Sequence, residues 1–324
     1  MSLDACQHQF EHPATDPIDL DFARAVMAGL AKAEKSIPSR YFYDERGSAL
    51  FEEITALPEY YPTRTETRIL ADNAKCIAGD VDEASVLIEF GSGSSVKTEL
   101  LLKAIPHLHA YVPIDISPTA LSDAKTRLTE CFPKLLVVPI VADFSKPITL
   151  NPELGDLPRI GFFPGSTIGN LSSSDAVALL TRMRELLGNT GRLIIGVDLV
   201  KDEDTLVAAY SDAAGVTAEF NFNLLDRINR ELGANFDVAA FDHKAIYNNQ
   251  AGRMESYLVS KTQQSATLFG RTFDFKHGEA IHTENSYKYD LAGFASLAQK
   301  AGWSTRRVWT DADDLFSVHE LTAD

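Results

Sequence analysis

The sequence predicts an α/β fold built on a Rossmann-like parallel sheet, with a second, discontinuous α+β unit set into it. Three observations predict this. Between residues 86 and 198, short β-branched apolar runs alternate with stretches of helical spacing, the pattern of a parallel sheet with right-handed crossovers. Polar residues gather directly after those runs, where such sheets bind ligands. The alternation breaks between 200 and 288, in a helical stretch followed by period-two runs, and resumes at Asp290.

Taken in order, residues 1–17 are polar and aperiodic, and a loose tail is expected there. Ile18–Ala33 has amphipathic helical spacing and stops at Ser36-Ile37-Pro38. A short helix is expected from Ser48 to about Thr55, and then Leu57–Glu66 (LPEYYPTRTE) forms a stiff aromatic connector. Thr63 or Thr65 is placed to cap the helix that runs on to about Ile77. Val86–Phe90 is a strand that stops at Gly91-Ser92-Gly93-Ser94-Ser95 before the helix Val96–Ile105. Glycine lets a ligand approach the backbone closely, and a helix N-terminus offers free N–H groups. The third glycine of G-x-G-x-x-G is absent, since Val96 stands there. Further strands are expected at Ala110–Ile114, Leu135–Val141, Ile160–Phe163 and Arg192–Val197, with helices at Pro118–Cys131 and Asp175–Leu187. Asp202–Leu232 reads as mostly helical, and His243–Tyr247, Met254–Thr262 and Ala266–Phe275 as antiparallel strands. A helix from Asp290 and a strand pair, Arg306–Thr310 with Leu315–Leu321, close the chain. Residues 200–288 thus read as an insertion that joins 18–64 in a second domain.

Composition narrows the function classes. The chain has 324 residues, 45% of them apolar, enough for a substantial core. No run is long enough to span a bilayer, so no membrane role is expected. Cys6, Cys76 and Cys131 are scattered, which argues against a disulfide framework or a zinc site and fits a reducing cytoplasm. His107, His109, His243, His277, His282 and His319 lack ligand spacing, so no metal is expected. The net charge is −16 with no basic cluster, which disfavours nucleic acid as a partner.

Asp115 ends the second strand about 20 residues beyond the glycines, where an acid accepts from ribose hydroxyls. That spacing serves NAD and S-adenosylmethionine equally. Three features tilt the choice to the second. Glu89 precedes Gly91 in an E-x-G-x-G order, which brings a carboxylate toward a cationic ligand. Asp143-Phe144 can bond an adenine amino group and stack on its ring. The terminal strand pair matches the closing hairpin of class I methyltransferases.

Several longer stretches resemble one family. YFYDERGSALFEEITALPEYYPTRTE, EFGSGSSVKT, PIDIS, ADF, PGSTIGN, VDLVKD, AAYSDAAGVTAEFN, NRELGANFD and TENSYKY run from about residue 36 to the C-terminus. They are similar to the histidine-specific, S-adenosylmethionine-dependent methyltransferases of ergothioneine biosynthesis, which trimethylate the α-amine of L-histidine to hercynine. LPEYYPTRTE and GSTIGN are the most specific pieces. The resemblance implies a class I (Rossmann-like) methyltransferase domain at 65–199 and 289–324, and a substrate-binding domain at 18–64 and 200–288. It implies that Gly91, Ser92, Lys97, Asp115, Asp143 and Phe144 hold the cofactor, with Tyr43 close to it as the catalytic side chain. Asn170 and Tyr210 would bind the substrate carboxylate, and Tyr60, Glu284 and Ser286 would read the imidazole. Gly165 and Phe220 would line the pocket. Ser256 is a departure, since relatives usually carry methionine there, and it opens an alternative aromatic amino acid such as tryptophan. A cofactor-binding protein without turnover is the reading from another class. The expected partner is a small amino acid alone, for a monomeric cytoplasmic enzyme.

Overall fold

The computed structural model describes residues 19–79, 81–93 and 96–323; the expected tail lies outside the described residues. The elements run α1 (Leu20–Leu30), β1 (Lys35–Ser36), α2 (Glu45–Ala56), α3 (Tyr61–Ala78), β2 (Val86–Phe90), α4 (Val96–Ala104), β3 (Ala110–Asp115), α5 (Pro118–Cys131), β4 (Leu136–Val137) and β5 (Ile140–Val141). They continue as β6 (Arg159–Phe163), α6 (Ser173–Leu187), β7 (Arg192–Asp198), α7 (Glu203–Tyr210), α8 (Val216–Leu232), β8 (Phe241–Asn248) and β9 (Arg253–Ser260). Last come β10 (Gln264–Leu268), β11 (Arg271–Phe275), β12 (Ala280–Tyr287), α9 (Leu291–Lys300), β13 (Trp303–Thr310) and β14 (Phe316–Ala323).

The larger sheet has the order β13-β14-β7-β6-β2-β3-β4, with β5 also paired to β3. Its strands are parallel except for the terminal hairpin, where β14 runs antiparallel to β7 and β13 to β14. This is the class I, Rossmann-like arrangement. The strand order reverses at β2, which makes the carboxyl ends of β2, β3 and β6 the ligand crevice. Apolar side chains cover both faces, with Ile88, Val112 and Ile195 on one side and Leu87, Tyr111 and Ile194 on the other. Burial on both faces explains why these strands are continuous apolar runs rather than alternating ones.

The smaller sheet, β1-β12-β9-β8, is antiparallel apart from the short β1 edge. Its own core joins α1, α2 and α8 through Phe22, Leu50, Phe220 and Leu258. The helix α3 bridges the two bodies. Tyr61 in its first turn packs with Leu206, Tyr210 and Met254, whereas Ile69, Leu70 and Ile77 pack under the large sheet.

Three expectations need correction. Neither Thr63 nor Thr65 caps α3, which starts earlier, at Tyr61, with Tyr60 at the N-cap and Pro62 in its first turn. Proline supplies a preset φ there and needs no N–H partner. The strand expected at Leu135–Val141 is two short pieces, separated by Val138-Pro139, because proline cannot donate to a ladder. The strand expected at Ala266–Phe275 is a hairpin, β10 to β11. Phe269 (φ 48°) and Gly270 (φ 74°) form its two-residue turn. Both central residues at positive φ is the turn geometry that matches strand twist. No helix among the described residues is long and apolar enough to cross a membrane.

Candidate active site

The crevice is built first by the glycine turn. Gly91 (φ 71°) and Gly93 (φ 46°) both take left-handed backbone. A Cβ on Gly91 would stand 3.2 Å from the Phe144 ring, so glycine keeps this gap open. The Gly91 N–H donates to Ile114 O at 2.8 Å, which ties the turn to the end of β3. The Asp115 carboxylate takes one bond on each oxygen, from Gly93 N and Ser117 N, both at 2.9 Å. Each oxygen keeps a lone pair for a diol. Asp143 accepts from Ser145 N at 2.9 Å, and Phe144 meets Phe163 edge to face at 5.5 Å. Ser92 is buried in the same turn. The residues present therefore fit a nucleoside: an acid for the ribose, an aromatic face for the base and a glycine gap between them.

Lys97, at the start of α4, is ion-paired to Glu66 of α3, and Glu66 is fully buried. Both Glu66 oxygens also accept from the Gly165 N–H, at 3.0 and 2.9 Å. Glu66 thus ties the loop after β6 to the Lys97 ammonium. It lies within LPEYYPTRTE, yet spacing assigns it no role, because its partners lie 31 and 99 residues away.

Glu89 is placed differently from the sequence expectation. Its carboxyl turns beneath α4, accepting from Thr98 Oγ1 at 2.6 Å and from the Tyr111 hydroxyl. Burial pushes its pKa up to about 8, outweighing those hydrogen bonds. Burial thus favours its neutral form, and its carboxyl is engaged by Thr98 and Tyr111 beneath the helix. Its ordinary value is 4.5, so the native state holds this proton from pH 4.5 to about 8, and stability falls with rising pH across that window. Glu89→Gln is expected to flatten the fall. Its urea midpoint should match wild type at pH ~4, where Glu89 is protonated folded or unfolded, and exceed it at pH ~9; parallel pH profiles for the two proteins would reject this.

Facing the crevice is a second set of polar groups on the smaller sheet and its helices. Ser256 on β9 is directly opposite Glu284 on β12, so the two share a face, and Ser286 lies two residues further on that face. Tyr210 ends α7 and donates to Ser286 Oγ at 2.7 Å. Asn170 ends the turn Thr167–Asn170, which presses against β12. A Cβ on Gly169 would stand 2.8 Å from Tyr287 O, so only glycine allows this approach. Asn170 does not cap α6; Ser172 does, accepting from Asp175 N. Phe220 is buried, with Tyr43 edge to face against it at 5.7 Å and Phe51 tilted against it at 6.0 Å. Tyr60 lies edge to face with Phe51 at 6.2 Å.

The side chains of Tyr43, Tyr60, Asn170 and Glu284 are half-buried, and none makes a hydrogen bond with another described residue. Unspent polar ends in a shared recess are what a polar ligand needs. Burial, then Glu284, Tyr210 and Asp115, raise the Tyr43 pKa far above the phenol range, so this phenol senses acids from both sheets. Burial likewise raises Tyr60 and Tyr210 well above 10. All three stay protonated. Burial lifts Glu284 to about 7, against the pull of Lys288.

Below this recess is a buried charge cluster with no role assigned from sequence. Asp198, at the end of β7, accepts from Lys288 Nζ at 2.6 Å, Lys201 Nζ at 2.7 Å and the Tyr61 hydroxyl at 2.8 Å to each oxygen. Alternation on β12 was the available signal, since Glu284, Ser286 and Lys288 repeat at i, i+2, i+4.

The comparisons with known proteins agree with this geometry. The sequence model of the histidine-specific, S-adenosylmethionine-dependent methyltransferases matches residues 22–323. The chain belongs to this family. A histidine N-alpha-methyltransferase of Mycobacterium tuberculosis is 40% identical over 305 residues, 93% of this chain and 94% of its own. One of Mycolicibacterium smegmatis is 40% identical over 293 residues, 89% and 90% of the two chains. A 4-dimethylallyltryptophan N-methyltransferase of Aspergillus fumigatus is 27% identical over 315 residues, 91% and 92%. The cofactor of the methyltransferase is S-adenosylmethionine, and the nucleoside-shaped crevice at Gly91, Asp115 and Phe144 fits it.

Proposed function

We propose that the methyltransferase transfers three methyl groups to the α-amine of L-histidine, giving hercynine, the first step of ergothioneine biosynthesis. The observation that carries this reading is Glu284: an acid without a hydrogen-bond partner, set on one strand face with Ser286, two residues apart. That pair matches the two nitrogens of an imidazole. The 40% identity to two histidine N-alpha-methyltransferases supports it.

The chain's own residues then divide the work. Asn170 holds the substrate carboxylate; the Tyr210 hydroxyl, expected there too, spends its one proton on Ser286 Oγ and cannot also donate to a carboxylate. Tyr60, Glu284 and Ser286 read the ring, and Gly165 and Phe220 shape the pocket. Gly91, Ser92, Lys97, Asp115, Asp143 and Phe144 hold the cofactor, which supplies an electrophilic methyl on a sulfonium. When bound it would supply the methyl carbon by in-line displacement, with sulfur leaving as the neutral thioether, and the amine protons shed before the second and third transfers would pass to water. The residues mainly align the reacting atoms. A model α-amine has a pKa of about 8, so a neutral fraction is present without a strong base. Tyr43, held as a neutral phenol, orients the amine through its oxygen and is not a phenolate base. The quaternary product is stabilised against aromatic faces by roughly 0.5–2 kcal/mol each.

The two-domain division at 18–64 with 200–288 and 65–199 with 289–324 is part of this proposal, as is a monomer in the cytoplasm, which the exposed free Cys76 and Cys131 suit. One observation favours a second substrate. The buried Ser256 hydroxyl has no hydrogen-bond partner and stands directly opposite Glu284, whose carboxylate can accept an indole N–H. An indole leaves Ser286 without a ring acceptor, at about 1–3 kcal/mol. Incubation with each proteinogenic amino acid, read by mass spectrometry, should give trimethylhistidine as the dominant product. Preference for tryptophan would reject the histidine reading, and cofactor binding without turnover of any amino acid would reject the enzyme.

A further inference from the structure

We propose that Lys288 is a positioning residue that makes Ser286 a hydrogen-bond donor to the substrate ring, and thereby selects a ring carrying an unprotonated nitrogen. The inference rests on the histidine reading and deepens it.

The Lys288 side chain is completely buried. An ammonium has three donors and no acceptor, and all three of these are spent: on Asp198 Oδ2 at 2.6 Å, the Tyr210 hydroxyl at 2.9 Å and Ser286 Oγ at 2.9 Å. The Tyr210 hydroxyl in turn donates to Ser286 Oγ at 2.7 Å. That polarity follows from acidity, since a phenol is the better donor and an alcohol the better acceptor. Ser286 Oγ therefore receives two hydrogen bonds, which use both its lone pairs. Its own proton remains, and no acceptor for it stands among the described residues. The one direction left is into the recess beside Glu284.

The face is thus asymmetric. Glu284, when ionised, only accepts, and Ser286 only donates. A neutral imidazole satisfies both, with its N–H on Glu284 and its bare nitrogen on Ser286. An imidazolium has two N–H groups and opposes a donor with a donor. A pyrrole or indole offers the N–H alone. Without Lys288, the serine hydroxyl regains a lone pair and can turn to accept, and the ring is no longer discriminated on its second nitrogen. Asp198 keeps Lys201 and Tyr61 in that case, so the carboxylate stays compensated.

The test compares histidine with β-(pyrrol-3-yl)alanine, which lacks the ring acceptor. In wild type the kcat/KM ratio should favour histidine by about 10–100-fold, the worth of one unsatisfied buried donor. In Lys288→Met the ratio should fall about tenfold or more while the KM for S-adenosylmethionine stays within about twofold. A Lys288→Met protein that loses both substrates in equal proportion would overturn the proposal, because a merely structural role moves both alike. A second measurement needs no variant. In wild type bound to ring-15N histidine and S-adenosylhomocysteine, 15N chemical shifts should show one protonated and one bare nitrogen. Two protonated nitrogens would overturn the role of Lys288 while leaving histidine as the substrate. Absence of histidine turnover would overturn the histidine reading and this proposal with it.

Discussion

Asp198→Ala is expected to destabilise the methyltransferase by about 3–5 kcal/mol, the cost of leaving buried charges without their partner. Asp198 is 1% exposed and is the shared anion for Lys201 and Lys288, with the Tyr61 hydroxyl completing its shell. Burial alone would raise its pKa, but the two lysines overcome this and hold it below the ordinary 3.8. A depressed carboxylate contributes stability that is fully present above its unfolded value and is lost as pH falls through the folded one. The alanine variant should therefore differ most from wild type near neutral pH and converge with it in acid. Urea unfolding monitored by circular dichroism measures both. The double variant Asp198→Asn/Lys288→Met should recover part of the loss, because removing an ion pair as a whole costs less than removing one half. An Asp198→Ala protein within about 1 kcal/mol of wild type would show that the cluster is not a desolvated network. Its placement couples two parts of the fold: Tyr61 belongs to α3, Asp198 to β7 and Lys288 follows β12, so one carboxylate ties the larger sheet to the smaller one.

The parallel half of the fold was legible because burial on both faces writes each strand as an unbroken apolar run, as at Val86–Phe90 and Ile160–Phe163. The smaller sheet was harder. Its strands have one wet face and short turns, and Phe269-Gly270 lacks the asparagine or aspartate that usually marks a two-residue hairpin. The crevice was legible where a motif has a local reason, as with the glycine turn at Gly91, whereas Asn170 came only from the resemblance, since nothing in GSTIGN announces that Gly169 presses on Tyr287 O. What spacing could not supply was pairing across the chain. Lys288 meets Asp198 over 90 positions and Glu66 meets Gly165 over 99, and only the fold brings them together. Glu89 failed for a related reason. Its place before the glycines was read correctly, but strand alternation turns it under α4, where burial favours its neutral form.

Glu284→Gln should separate what the fold prefers from what the reaction needs. Burial pushes the Glu284 pKa up to about 7 from an ordinary 4.5, with Lys288 only partly opposing it. A raised carboxylate works against the empty protein: the native state holds a proton that the unfolded chain has released, and stability falls as pH rises from 4.5 toward 7. A neutral amide carries no such penalty. The variant is therefore expected to be at least as stable as wild type above neutral pH. It should nevertheless lose histidine, since an amide in place of the carboxylate gives up a charge-assisted bond to the ring N–H worth about 1.5–3 kcal/mol, or roughly 10–100-fold in KM. The KM for S-adenosylmethionine should not move, because Asp115 and Phe144 lie across the crevice on the other sheet. In wild type, histidine affinity measured by calorimetry with S-adenosylhomocysteine present should strengthen as pH rises through about 7, the range in which Glu284 ionises, and the variant should lose that part of the dependence. Equal KM increases for both substrates would reject ring reading by Glu284. A variant less stable than wild type above neutral pH would show that the carboxylate is held by the fold, not kept for the ligand.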